Sequence, residues 1–247
     1  MKKLIIFDLD GTIAESKSAV DKEMAKLLNE LMLAFKVSII SGASIYQFKK
    51  QVLSKLKKDK RLMNLYILPT CGTSFYEYSE NWKKLYSEDL SEKEKNLIFK
   101  SLKNATKELN EGIDKIYGEQ IEDRGSQITY SALGQKAPLK KKEAFDPDFK
   151  RRQKVKSKLK KLIPQFSVNL GGMTSIDITK KGIDKEYGIR KLNKKLKIPL
   201  NEMLFIGDAI FPGGNDYPAV KAGVDTIKTK DPLETKHLIQ ALLACVD

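Results

Sequence analysis

Four consecutive apolar residues, Leu4-Ile5-Ile6-Phe7, run directly into Asp8-Leu9-Asp10-Gly11-Thr12. So short an apolar run, closed by turn residues, reads as a buried strand, and acids at positions i and i+2 leave its tip facing the same way. Gly11 lets the backbone turn sharply just beyond them. Both carboxylates can therefore address one ligand. The pair suits phosphoryl transfer assisted by a divalent ion, because one carboxylate can attack phosphorus while the other gives a proton to the leaving oxygen and later takes one back.

Downstream, Met24, Leu27, Leu28, Leu31, Met32 and Phe35 recur at helical spacing, and Val37-Ser38-Ile39-Ile40 reads as a second short strand. It ends in Ser41-Gly42-Ala43-Ser44. Ile45, Phe48, Val52 and Leu56 then share one helical face, and Leu65-Tyr66-Ile67-Leu68 forms a third strand ending at Pro69. Strands alternating with helices predict a parallel sheet. From Trp82 to about Glu111 the pattern is a charged helical stretch, followed by Ser126–Ser131, which alternates as a half-exposed strand, and then a basic stretch. The α/β pattern returns with a helix bearing Ile189, Leu192 and Leu196, the strands Met203–Ile206 and Thr226-Ile227, and a C-terminal helix. The expected fold is α/β: a Rossmann-like, doubly wound parallel-sheet core over residues 1–83 and 180–247, with an α+β insertion over 84–179.

With 247 residues and 41% hydrophobic content the chain can bury a real core. Its formal charge of +14 raises a nucleic-acid reading, and 12 of the 26 residues from Lys136 to Lys161 are Lys or Arg. Only five of the 46 basic residues are arginine, however, and no stacking aromatics are interleaved among them. Nucleic-acid binding therefore ranks low; a basic surface also attracts small phosphorylated substrates. No apolar run approaches the ~18 residues needed to span a bilayer, so a soluble, cytoplasmic chain with no membrane partner is expected. Cys71 and Cys245 have no metal-binding or redox spacing and read as reduced thiols, and His237 reads as a surface residue.

An open parallel sheet places its ligand at the carboxyl ends of its strands, and here three such ends carry Asp8 and Asp10, Ser41, and Gly207-Asp208. Asp8 is the expected nucleophile, forming an aspartyl phosphate, and Asp10 the general acid and base. Ser41 offers its hydroxyl and neighbouring amides, Gly42 among them, to phosphoryl oxygens. Lys185 supplies a fixed cation. Mg2+ is the expected cofactor, held by Asp8, Asp208 and the main-chain carbonyl of Asp10, with Asp216 ligating the metal or supporting it from behind.

These motifs, in this order, resemble those of the haloacid dehalogenase superfamily, and the insertion is similar to the large α/β cap of its subfamily IIB, which closes over the site and chooses the substrate. Gly207-Asp208-Ala209-Ile210-Phe211-Pro212-Gly213-Gly214-Asn215-Asp216 resembles the extended loop of eukaryotic-type phosphomannomutases. Arg124-Gly125 through Leu133-Gly134 and Ser175-Ile176-Asp177 before Gly182-Ile183-Asp184-Lys185 resemble two further segments of that family. Ser175 and Asp177 read equally as contacts to sugar hydroxyls or as ordinary polar groups of a strand edge. The resemblance implies that Lys17, Arg124, Gln135 and Lys142 stand where that family holds the distal phosphate of its sugar with arginines. Arg forks bind phosphate bidentately, Lys gives a point charge and Gln gives none. The first expectation is therefore a magnesium-dependent phosphohydrolase acting on a hexose phosphate or similar small phosphoester. The alternative is a phosphomannomutase or phosphoglucomutase. A second copy of the chain is a candidate partner.

Overall fold

The computed structural model describes residues 1–16 and 18–246, and the chain divides into two units, Met1–Ser87 with Ile183–Asp247, and Glu88–Gly182. The first unit opens with β1 (Leu4–Phe7), α1 (Lys22–Ala34), β2 (Lys36–Ile40), α2 (Ile45–Phe48), a π-helical segment (Lys49–Leu53), β3 (Leu65–Leu68), β4 (Ser74–Tyr78) and β5 (Trp82–Ser87). The second unit contains α3 (Glu92–Ala105), α4 (Lys107–Asn110), β6 (Ile121–Asp123), β7 (Gln127–Ser131), α5 (Leu139–Phe145), α6 (Lys150–Leu162), β8 (Phe166–Gly171) and β9 (Ser175–Lys180). The chain then returns to the first unit as α7 (Lys185–Leu196), β10 (Met203–Gly207), α8 (Tyr217–Ala222), β11 (Asp225–Lys228) and α9 (Pro232–Ala244).

The sheet of the first unit runs β11-β10-β1-β2-β3-β4-β5, parallel from β11 to β3 and antiparallel across β4 and β5. Alternate residues of β1 explain why every one of them is apolar. Ile5 and Phe7 pack with Leu27, Leu28 and Leu31 of α1 and Ile239 of α9, whereas Leu4 and Ile6 pack with Ile189 and Leu192 of α7 and Ala219 of α8. Helices thus cover both faces, which makes the sheet doubly wound. From β1 the chain winds through α1 to β2 on one side, while β10 lies on the other, so β1 sits at the switch point where open α/β sheets bind ligands. Side-chain caps start the flanking helices: Asp21 accepts from the Met24 N–H at 2.8 Å and Asp184 from the Tyr187 N–H at 3.1 Å.

Two readings of the first unit need correction. Trp82–Ser87 is not the start of a helical stretch; it is β5, paired with β4 in a hairpin where Trp82 meets Tyr78 edge-on at 5.5 Å and Tyr86 lies 5.9 Å from Phe75. Cross-strand aromatic pairs stabilise a sheet, and here they outweigh the charge pattern. Because β5 completes this sheet, the units change at Ser87/Glu88, and again at Gly182/Ile183, a few residues beyond the expected 83/84 and 179/180. The Ile45–Leu56 helix is also shorter than its pattern suggests: four α-helical residues give way to the π-helical segment, where the Ser54 N–H reaches the Lys49 carbonyl at 3.0 Å.

In the second unit the antiparallel order is β6-β7-β9-β8. Ile128 and Tyr130 of β7 and Ile176 and Ile178 of β9 pack on Ile98 and Leu102 of α3 and on Val155 and Leu159 of α6. The alternate residues, Gln127, Thr129 and Ser131 opposite Thr179, Asp177 and Ser175, form a polar face. The basic stretch is not simply a solvated surface. Arg152 on α6 is fully buried, bonds Asp146 at 2.8 Å and donates to the carbonyls of Gly171, Gly172 and Ser175, so it ties α6 to the β8–β9 hairpin. Among the described residues no helix is long and apolar enough to cross a membrane.

Candidate active site

Asp8 leaves β1 with its N–H bonded to the Ile206 carbonyl of β10 at 3.0 Å, and the residue is only 2% exposed. Beyond it the chain turns tightly, with the Leu9 carbonyl accepting from the Ile13 and Ala14 amides, both at 3.1 Å, and with Gly11 at φ +87°. A Cβ on Gly11 would stand 2.7 Å from Asp208 Oδ2, so the glycine both permits the turn and admits the Asp208 carboxylate. Thr12 Oγ1 donates to Asp208 Oδ1 at 3.4 Å. Asp208 itself follows Gly207, the last residue of β10, on the strand next to β1.

Lys185 is the first residue of α7. Its ammonium lies 2.5 Å from Asp8 Oδ1 and also pairs with Asp216 Oδ1. The placement depends on a close approach, since a Cβ on Gly72 would come within 2.7 Å of Gly188 Cα on α7. Asp216 is fully buried, and its other oxygen accepts the Ala209 N–H at 2.9 Å, which folds the 207–216 loop back on itself. Ser41 follows the last residue of β2, one position past the residue level with Asp8, so its strand end neighbours that of β1. Its hydroxyl accepts the Ala43 N–H at 3.2 Å, and its carbonyl accepts the Cys71 N–H at 2.9 Å. Thr70 and Cys71 adopt φ of 48° and 55°, a strained pair of left-handed residues that anchors the Ser41-Gly42 turn.

One oxygen from each of Asp8, Asp208 and Asp216 lies within 4.8 Å of the others. Burial pushes the Asp8 carboxyl up to about 8; Lys185 opposes the shift and Asp216 adds to it. Burial and Asp216 also raise Asp208. Burial works against the charged form of Lys185, but Asp216 and Asp8 outweigh it and hold the ammonium charged. Three carboxylates against one ammonium leave excess negative charge, which a divalent cation can neutralise. The donors are all carboxylate oxygens, with no His or Cys, which suits Mg2+ rather than zinc.

Asp8, Lys185, Asp208 and Asp216 are thus gathered together, with Asp10 on the adjoining turn. Lys17 lies outside the described residues. The remaining expected substrate contacts belong to the second unit. Arg124 donates to Glu122 at 2.7 Å. Gln135 accepts from the Lys142 ammonium through its main-chain carbonyl at 3.4 Å, while its own Nε2 is buried without a partner among the described residues. Asp177 accepts from Thr129 Oγ1 at 2.7 Å, and Ser175 pairs with Ser131 across the β7–β9 ladder.

Sequence reasoning missed Gln51. This residue is 3% exposed in the π-helical segment, and its Nε2 donates to Asp10 Oδ1 at 3.5 Å. A signal was present, because Gln51 falls three residues after Phe48 and one before Val52, at a core-facing position.

A family model for haloacid dehalogenase-like hydrolases matches residues 5–222. Among curated relatives, the phosphomannomutase of Spinacia oleracea is 28% identical over 227 residues, covering 87% of this chain and 84% of its own length. That of Encephalitozoon cuniculi is 26% identical over 226 residues, covering 87% and 83%. Among solved structures, the C-terminally truncated IMP-nucleotidase of Plasmodium falciparum superposes with a TM-score of 0.75 at 20% identity, covering 100% of this chain and 72% of that one. A haloacid dehalogenase-like hydrolase of Bacteroides thetaiotaomicron gives 0.68 at 16% identity, covering 98% and 100%. At these identities the two structures speak for the fold.

Proposed function

The chain belongs to the haloacid dehalogenase-like hydrolases, enzymes of phosphate transfer and hydrolysis, and from that membership we propose a cytoplasmic, magnesium-dependent phosphohydrolase of a hexose phosphate or similar small phosphoester. The observation that carries this reading is the gathering of Asp8, Asp208 and Asp216 around the Lys185 ammonium at the strand switch point. In the proposed reaction an Asp8 carboxylate oxygen bonds to phosphorus as the ester P–O bond breaks, and the departing oxygen takes a proton from Asp10. Water then attacks the aspartyl phosphate and gives its proton to Asp10, releasing phosphate and restoring the Asp8 carboxylate. Lys185 stays charged throughout and offsets the negative charge of the transferring group, with Ser41 and the amides beside it as further donors. Asp8, Asp208 and the Asp10 carbonyl would hold Mg2+, which would supply positive charge to offset the repulsion between an anionic nucleophile and an anionic phosphate. Asp216, whose oxygens are engaged by Lys185 and the Ala209 amide, would act chiefly by holding that lysine and the loop.

The curated relatives are named phosphomannomutases, and hexose 1- and 6-phosphate interconversion is therefore the second reading. Hydrolysis is favoured over it by the proposed phosphate grip. Lys17 and Lys142 can give only point charges, Gln135 gives none, and Arg124 is partly neutralised by Glu122. A weak grip releases the sugar before the aspartyl phosphate can return its phosphate to it, leaving that intermediate to water. Phosphorus NMR with magnesium, mannose 1-phosphate or glucose 1-phosphate, and a trace of hexose 1,6-bisphosphate separates the readings: inorganic phosphate supports hydrolysis, and the 6-phosphate ester supports the mutase. Asp8→Asn should reduce either activity by about 10³-fold or more in a folded protein, since an amide is a poor nucleophile of the same shape. Retained turnover in that variant would remove the aspartyl-phosphate mechanism.

A further inference from the structure

Gln51 lies in the π-helical stretch Lys49–Leu53 of the first unit, a local widening of the helix to i→i+5 hydrogen bonding that is rare in proteins and often marks a functional position. The departure from α-helix has two local consequences. The Gln51 main-chain carbonyl accepts the Val20 N–H at 2.9 Å, which ties the segment to the chain between the Asp8–Ala14 turn and α1. Gln51 is 3% exposed, and its side chain spans the gap to Asp10, donating to Oδ1 at 3.5 Å. Its Oε1 is buried and has no hydrogen-bond partner among the described residues. A buried amide that leaves its acceptor unmatched is a poor choice for packing alone, because Leu or Met would fill the same space without an orphaned oxygen.

We propose that Gln51 is a positioning residue for Asp10: its carboxamide donates to Asp10 Oδ1, fixes the orientation of that carboxyl group, and so governs how well Asp10 passes its proton to the departing ester oxygen. The proposal rests on the hydrolytic reading above. The proton moves from Asp10 to the leaving oxygen as the P–O bond breaks; Gln51 neither gains nor loses one. At 3.5 Å the Nε2–Oδ1 bond is long, and catalytic hydrogen bonds of this kind commonly tighten in the complex with substrate.

The test compares kcat/KM for 4-nitrophenyl phosphate, whose phenolate departs without a proton, with kcat/KM for phenyl phosphate and methyl phosphate, whose leaving oxygens need one. Gln51→Met keeps the length and volume of the side chain and removes both polar atoms. It should lower kcat/KM for methyl phosphate by about 10-fold or more while changing that for 4-nitrophenyl phosphate by less than about 3-fold, in the direction of Asp10→Asn but weaker. Gln51→Asn, one methylene shorter, should fall between wild type and Gln51→Met. An equal loss on all three esters accompanied by a lower Tm assigns Gln51 to structure and overturns the proposal, as does an unchanged profile. If wild type hydrolyses none of the esters nor a sugar phosphate, the hydrolytic reading fails first and the inference falls with it. An active wild type whose leaving-group dependence ignores Gln51→Met refutes the inference alone.

Discussion

The Lys185 ammonium is shared between two buried carboxylates, lying 2.5 Å from Asp8 Oδ1 and pairing also with Asp216, which is drawn from the loop after β10. One cation thus holds the proposed nucleophile and the 207–216 loop in register. Either carboxylate alone would be an unpaired charge in an interior where Lys185 is 2% exposed and Asp216 fully covered.

Lys185→Met therefore removes the cation that, among the described residues, these two acids share. Breaking a buried pair from one side costs about 3–5 kcal/mol. Denaturant unfolding of the metal-free variant should show a loss of that order above about pH 8, where Asp8 is ionised, shrinking as the pH falls and the orphaned carboxyl takes a proton. A loss below about 1 kcal/mol at the alkaline end would mean the pair contributes little.

Magnesium and protons should compete for the cluster. Burial pushes Asp8 up to about 8 from an ordinary carboxylate value of 3.8, so between those limits the metal-free folded state holds more protons than the unfolded chain. Its stability should accordingly be greatest at the acid side of this window and decline as the pH rises toward 8. Saturating magnesium, which favours the ionised carboxylates, should flatten or reverse the slope, and its apparent affinity should rise over the same range. Thermal melts from pH 5 to 8 with and without the metal check this; parallel curves would contradict it.

Gly11→Ala places a methyl group 2.7 Å from Asp208 Oδ2 at a residue with φ +87°. Strain alone should cost about 1 kcal/mol or more, because an L side chain disfavours that backbone region. The displaced Asp208 should also weaken magnesium binding by about 10-fold, measurable by titration calorimetry. Unchanged metal affinity would place Asp208 outside the metal site.

Arg152→Met tests the second unit separately. Arg152 and Asp146 are both fully covered, and Arg152 also satisfies three carbonyls at the β8–β9 hairpin. Its removal leaves Asp146 buried and those carbonyls short of a donor, at a cost of about 3–5 kcal/mol. Hydrogen exchange should quicken first in Gly171, Gly172 and the ends of β8 and β9. Uniform exchange throughout the chain would show instead that the pair supports the whole molecule.

Much of the core was legible because both of its signals are local. The apolar runs at Leu4–Phe7, Leu65–Leu68 and Met203–Ile206 are each bounded by turn residues, and the helical spacing of Met24 to Met32 returns as the buried face of α1. The second unit was less legible. Of its four strands only β7 stood out by alternation, and β5 was hidden because Trp82-Lys83-Lys84-Leu85-Tyr86 carries charges as readily on a strand edge as on a helix. Its strand character comes from aromatic partners in β4, a pairing between segments that no window on either one contains.

By itself the sequence determined the strand–acid–glycine ending at Asp8, the alternation that makes a doubly wound sheet, and the chemical types placed at the strand ends. Period and turn chemistry are properties of neighbouring residues, so they can be read directly from the chain. Only the tertiary structure decided that Lys185 is shared by Asp8 and Asp216, 177 and 31 residues away along the chain, that Arg152 is an internal tie within a basic stretch, and that Gln51 reaches Asp10 through a π-helical turn. Each of these depends on burial, which sets what a charge or an amide must find as a partner. Burial is created only when distant segments pack together.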